Sequence, residues 1–127
     1  MSYTIDTQSA PDILKLSVKE TLTQALRKEI LAVVATQLKV RQVTRVMIDL
    51  TRADFNPKEP MVGAWELVNY MKTLGIDETV RFAFLYDDAE EHRKYFENLA
   101  QMDGLNLRYF RDYIDAHVWL HDELSHS

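Results

Sequence analysis

Apolar residues near the start of the chain recur with a period of two. Tyr3 and Ile5 alternate with polar neighbours over 3–7, and Leu14, Leu16 and Val18 do so over 13–19. Each stretch reads as a strand. The turn-rich segment Gln8-Ser9-Ala10-Pro11-Asp12 between them predicts an antiparallel hairpin. The period then lengthens. Leu22, Leu26, Ile30, Val33 and Val34 share one helical face, which Lys28, Glu29 and Gln37 avoid. Thr21 with Gln24 three residues on fits a capping box, so this helix is expected to run to about Leu38. Val46-Met47-Ile48-Asp49-Leu50 is a short apolar run holding a carboxylate, and it reads as the central strand.

A polar loop, Thr51 to Pro60, follows it. Pro60 suits a first helical turn, and Ala64, Leu67, Val68, Met71 and Leu74 line one face of the next helix before Gly75 stops it. Val80 to Tyr86 is almost wholly apolar, as a strand covered on both faces should be. Asp87 or Asp88 is expected to cap a third helix that ends at Gly104. Leu105 to Phe110 alternates and reads as a strand nearer an edge. Asp112 then caps a final helix bearing Tyr113, Ala116, Leu120 and Leu124. The order β-β-α-β-α-β-α-β-α predicts an α/β fold. Its sheet would be five-stranded and mixed but mainly parallel, an N-terminal hairpin followed by βα units, with four flanking helices. A single domain over 1–127 is expected, with no internal repeat.

Composition narrows the classes of function. With 46% apolar residues in 127, a core can form without disulfides, and the absence of cysteine removes thiol chemistry and Cys-based metal sites. The net charge of −5 opposes contact with phosphate backbones, so no nucleic-acid partner is expected. No apolar run approaches the roughly 20 residues of a membrane span. The N-terminus lacks a signal-peptide pattern, and His121-Asp122-Glu123-Leu124 is followed by three residues, so it is not read as a retention tag. A cytoplasmic location is expected.

Strand, polar loop and helix place a site at the carboxyl edge of a parallel sheet. Asp49 and Asp54 could act together as acid and base; equally, Asp49 could cap the strand end and Asp54 form an Asx turn. His92 falls in the first turn of the third helix on the face of Tyr95, Phe96 and Leu99. It could meet a ligand or Asp49, or be a half-buried histidine bonded to a backbone carbonyl. His117 and His121 have a metal-chelating spacing without a clear third ligand, so no metal and no cofactor are expected. The glycines at 63, 75 and 104 form no phosphate loop. Phe55, Met61, Val62 and Trp65 could line a ligand mouth or a dimer contact, or form core rim.

Two stretches carry a resemblance. One is the hairpin and helix feeding Val46-Met47-Ile48-Asp49-Leu50, with its loop running into a helix. The other is Leu107-Arg108-Tyr109-Phe110-Arg111-Asp112 followed by Ala116-x-x-Trp119-Leu120. Together they resemble the SpoIIAA-like family of STAS domains over nearly the whole chain in element order. The resemblance implies a non-catalytic regulatory or ligand-binding role. It also implies a phosphorylated Ser or Thr at the start of the second helix. The matching loop here, Asp54 to Pro60, has no hydroxyl residue, and Thr51 lies instead at the strand end.

The expected function is therefore a non-enzymatic module that binds a protein partner or a small, partly apolar ligand, with homodimerisation possible. Its site would comprise Asp49, Thr51, Asp54, Phe55, Asn56, Met61, Trp65, Tyr86, His92 and Phe110, bordered by Arg111. The alternative is a small enzyme using His92 with Asp49 or Asp54.

Overall fold

Strands and helices follow one another in the order β1 (Tyr3–Asp6), β2 (Leu14–Val18), β3 (Thr21–Leu22), α1 (Gln24–Arg41), β4 (Arg45–Asp49), β5 (Asp54–Phe55), α2 (Gly63–Thr73), β6 (Arg81–Leu85), α3 (Glu91–Met102), β7 (Asn106–Phe110) and α4 (Tyr113–Leu120). The computed structural model describes residues 3–6, 12–55, 63–86 and 91–121, and of these the side chains at 6, 54, 55, 63, 64 and 91–95 lie outside the description. The capping roles expected of Pro60, Asp87 and Asp88 fall outside the described residues.

The main sheet has the order β1-β2-β4-β6-β7. β1 runs antiparallel to β2, and every later neighbour is parallel. This is the five-stranded mixed sheet expected from the alternation of strand and helix, with β4 at its centre and β7 at an edge. β3 and β5 pair parallel as a separate two-stranded ladder. That ladder corrects one expectation. Thr21 and Leu22 belong to it, so the helix begins later, with Thr23 as its N-cap. Thr23 Oγ1 accepts the Leu26 N–H at 3.1 Å, and its carbonyl accepts from Arg27 at 2.9 Å. The helix also runs past Leu38 to Arg41, ending at Gln42 in a left-handed conformation.

Side chains alternate across the sheet and build two cores. On one face Leu14, Leu16, Val18, Val46, Ile48, Phe82, Phe84 and Leu107 meet Ile30, Leu31, Val34, Ala35 and Leu38 of α1, Leu67, Val68 and Met71 of α2, and Phe96 and Ala100 of α3. The α1 stripe therefore turns on Leu31 and Ala35, with Val33 only half-buried. Phe84 stacks on Tyr109 at 5.0 Å and meets Phe96 edge-on at 6.4 Å, which locks α3 to the edge of the sheet. On the other face the core is smaller: Ile13, Met47, Ala83 and Leu85 lie against Ala116 and Leu120 of α4, with Phe110 and Trp119 at its margin.

Candidate functional site

The C-terminal motif now has a physical meaning. Ala116 lets α4 come close to the sheet, Leu120 fills the space beneath it, and Trp119 tilts against Phe110 at 5.6 Å. The far end of α4 is anchored by charge. Arg45 Nε donates to the carbonyl of Leu120, and Arg81 donates through its guanidinium to the carbonyl of Trp119, each at 2.7 Å. These two arginines are register partners at the starts of β4 and β6. They donate to last-turn carbonyls and complement the negative helix end.

α4 packs on β4, β6 and β7, so β1 and β2 run beside it rather than beneath it. A groove of about 440 Å³ lies along that step. Its lining comes from Thr4 of β1, from Lys15, Leu16 and Ser17 of β2, from Met47 and Asp49 of β4, from Leu85 of β6, and from Tyr113 and His117 of α4. Six of these nine residues are polar.

Register fixes the arrangement. Lys15 lies opposite Met47, Ser17 opposite Asp49, and Asp49 opposite Leu85. Lys15 donates a hydrogen bond to the Tyr113 hydroxyl, and its ammonium lies 5.0 Å from that ring's centre. The Tyr113, His117 and His121 rings follow one another along α4, with centroids 5.5 and 4.8 Å apart. His121 Nε2 stands 2.8 Å from Asp12, and its Nδ1 3.1 Å from the carbonyl of His117. Burial pushes the His117 imidazole below its ordinary pKa. Repulsion from His121 and Lys15 adds to the effect, and Asp12 opposes it. At neutral pH the ring is uncharged, leaving Lys15 as the cation and Asp49 as the carboxylate among the described residues of the groove lining.

Asp49 is half-buried, and its Oδ1 accepts from both the backbone N–H and the hydroxyl of Thr51, at 2.9 and 2.6 Å. That closes the turn after β4 and occupies one carboxylate oxygen.

Of the other residues expected at the site, the described side chains of Tyr86, Phe110 and Trp65 do not line this groove. Tyr86 is buried with the large core on the opposite face, and its N–H donates to the carbonyl of Phe110 at 2.9 Å. Phe110 lies on the α4 face, but beyond α4, against Trp119. Trp65 is 49% exposed on α2, in the other helical layer. Asp54 and Phe55 contribute backbone to β5, and His92 lies in α3; the side chains of all three are outside the description. Asn56, Met61 and Val62 are outside the described residues, and Arg111 is exposed just before α4. Among the described residues no group of three or more His, Asp or Glu stands close enough to hold a metal, and no helix is long and apolar enough to cross a membrane.

Thr4, Lys15, Ser17 and Tyr113 were missed as site residues. For Thr4, Lys15 and Ser17 the signal was the polar half of the strand alternation, which in an edge hairpin is indistinguishable from a solvated face, and Tyr113 had been read only as part of the last helix's face.

No protein-family model matches the chain, and no curated protein matches it. Solved structures do. The anti-sigma-factor antagonist SpoIIAA in its unphosphorylated form aligns over 94% of this chain and 98% of its own, with 12% identity and a TM-score of 0.54. An uncharacterised protein with a SpoIIAA-like fold from Shewanella loihica aligns over 94% of each chain, with 18% identity and a TM-score of 0.59. The Bacillus cell-fate determinant SpoIIAA in its phosphorylated form covers 94% and 99%, with 14% identity and a TM-score of 0.52. The chain therefore has the SpoIIAA-like fold, and at these identities the likeness extends to the fold alone.

Proposed function

We propose that this chain is a non-enzymatic, cytoplasmic regulatory module, one domain of SpoIIAA-like fold, that binds a small ligand in the groove between α4 and the β1–β2 hairpin. The observation that carries this reading is the groove itself. Its volume, about 440 Å³, lies in the range of small-molecule sites. It combines an apolar floor, Met47 and Leu85, with convergent polar groups on three sides. The groove also reaches Asp49 at the carboxyl edge of the sheet, where the polypeptide turns toward β5 and α2. Ligand contact at Asp49 would bear on the Thr51 turn and so couple occupancy to that loop.

Native mass spectrometry of protein purified gently from its own host tests the reading. A discrete added mass that disappears on denaturation, and is absent in a groove-filling Ser17→Phe variant of unchanged fold, is the expected result. Persistence of that mass in Ser17→Phe would place the ligand elsewhere.

A second reading has one observation in its favour. Trp65 is 49% exposed on α2, and aromatic residues of this kind are enriched at protein contacts. One of the similar structures is an anti-sigma-factor antagonist, so a protein partner on α2 is the natural alternative. Loss of a co-purifying protein in Trp65→Ala, with the groove intact, would establish it.

A further inference from the structure

Among the described residues the groove lining holds one cation, Lys15, and one carboxylate, Asp49, and register sets them diagonally across neighbouring strands. Lys15 pairs with Met47 and Ser17 with Asp49, so Lys15 and Asp49 are one strand and two residues apart. Strand geometry puts their Cα atoms roughly 8 Å from each other. Met47 and Leu85 form apolar floor beside that diagonal, and Ser17 and Thr4 add hydroxyls.

A ligand of one charge fits this lining poorly. An anion drawn to Lys15 would be repelled by Asp49, and a cation drawn to Asp49 would meet Lys15. A molecule carrying both charges satisfies both. The donors at the Lys15 end are suited to a carboxylate. The ammonium has three N–H groups, of which the bond to Tyr113 uses one, and the Tyr113 O–H is itself a donor. The acceptor at the other end is suited to an ammonium. Asp49 Oδ1 is occupied by Thr51, while the second carboxylate oxygen has no part in that turn.

Resting on the small-ligand reading above, we propose that the groove is a site for a small zwitterion of the α-amino-acid class, its carboxylate at Lys15 and Tyr113 and its ammonium at Asp49. The apolar part of the ligand lies over Met47 and Leu85. Because two charge-assisted contacts hold the ligand, deletion of either charge, on protein or ligand, weakens binding about tenfold or more.

The test is an amide NMR titration of the intact chain with the common α-amino acids. Each is paired with its N-acetylated and its carboxamide form, and acetate and methylammonium serve as single-charge controls. Saturable shifts at Lys15, Ser17, Asp49 and Tyr113 are expected with at least one free amino acid. They should weaken about tenfold or more in both charge-deleted forms. Lys15→Gln and Asp49→Asn should each weaken the same titration, and Asp49→Asn retains an Oδ1 acceptor for Thr51. The charge-deleted ligands keep the test decisive even where a variant folds poorly. Equal binding of a charge-deleted form, or groove shifts with a single-charge control alone, overturns the zwitterion while leaving the groove a ligand site. No groove shift with any of these probes overturns the zwitterion, and no added mass from the host protein then removes the ligand reading as well.

Discussion

His117 shows how one side chain links the stability of the fold to the chemistry of the groove. It is half-buried on α4 between the rings of Tyr113 and His121. Burial first, then the nearby His121 and Lys15, holds its pKa below the ordinary 6.5. The unfolded chain therefore takes up this proton at a higher pH than the folded chain does. Stability is complete above 6.5 and is lost as the pH falls through the folded value, because the unfolded state binds more protons in that window. The urea midpoint should accordingly fall between neutral pH and pH ~5, and His117→Phe, which keeps a ring in place, should flatten part of that slope. An unchanged slope in His117→Phe would assign the dependence to other groups. The same titration would place a second positive charge beside Lys15, so affinity for a zwitterion should also change below the ordinary imidazole pKa.

Among the elements, the N-terminus of α1 distinguishes a pattern in the sequence from the structure it forms. Thr21 and Gln24 have capping-box spacing, yet Thr23 is the cap, because β3 takes Thr21 and Leu22 into a ladder with β5. Thr23→Ala should cost about 1 kcal/mol in chemical denaturation. Thr21→Ala, at an exposed ladder position, should stay within about 0.5 kcal/mol. Equal costs would return the cap to Thr21. The long elements were legible because five-residue strands and helices of eight to eighteen residues carry a period. β3 and β5 were not, since two residues carry none. The groove was hidden for a related reason. Leu14, Leu16 and Val18 declared the inward face of β2, but only the pairing of Lys15 with Met47 and of Ser17 with Asp49 reveals what the outward face assembles. Inter-strand register is set by tertiary packing and is not written locally in either strand. Asp49 was legible because it stands at a strand end, where chemistry in parallel sheets gathers. Tyr86 and Phe110 also stand near strand ends, but their side chains enter opposite layers.

Across the whole molecule, the two faces of the sheet are covered unequally, and this separates stability from function. α1, α2 and α3 pack on one face, while the smaller core on the other is closed by eight-residue α4. α4 is also one wall of the groove, through Tyr113 and His117. Leu120 and Met71 are each fully buried, one in each core. Leu120→Ala and Met71→Ala should therefore have similar costs, about 2–5 kcal/mol, by transfer and cavity terms alone. Against a typical total of about 5–15 kcal/mol, either variant can remain folded. Their consequences for the groove should nonetheless differ. Loosening Leu120 frees a helix held at its far end by Arg45 and Arg81, so amide shifts and faster hydrogen exchange should spread along α4 to Lys15, Met47 and Asp49. Loosening Met71 should spread its effects through α2 and its neighbours in the large core, leaving the groove amides near their native positions. If both variants disturbed the groove equally, the sheet would be transmitting strain from one face to the other. α4 would then not be the separately adjustable wall that a ligand-responsive module of this architecture requires.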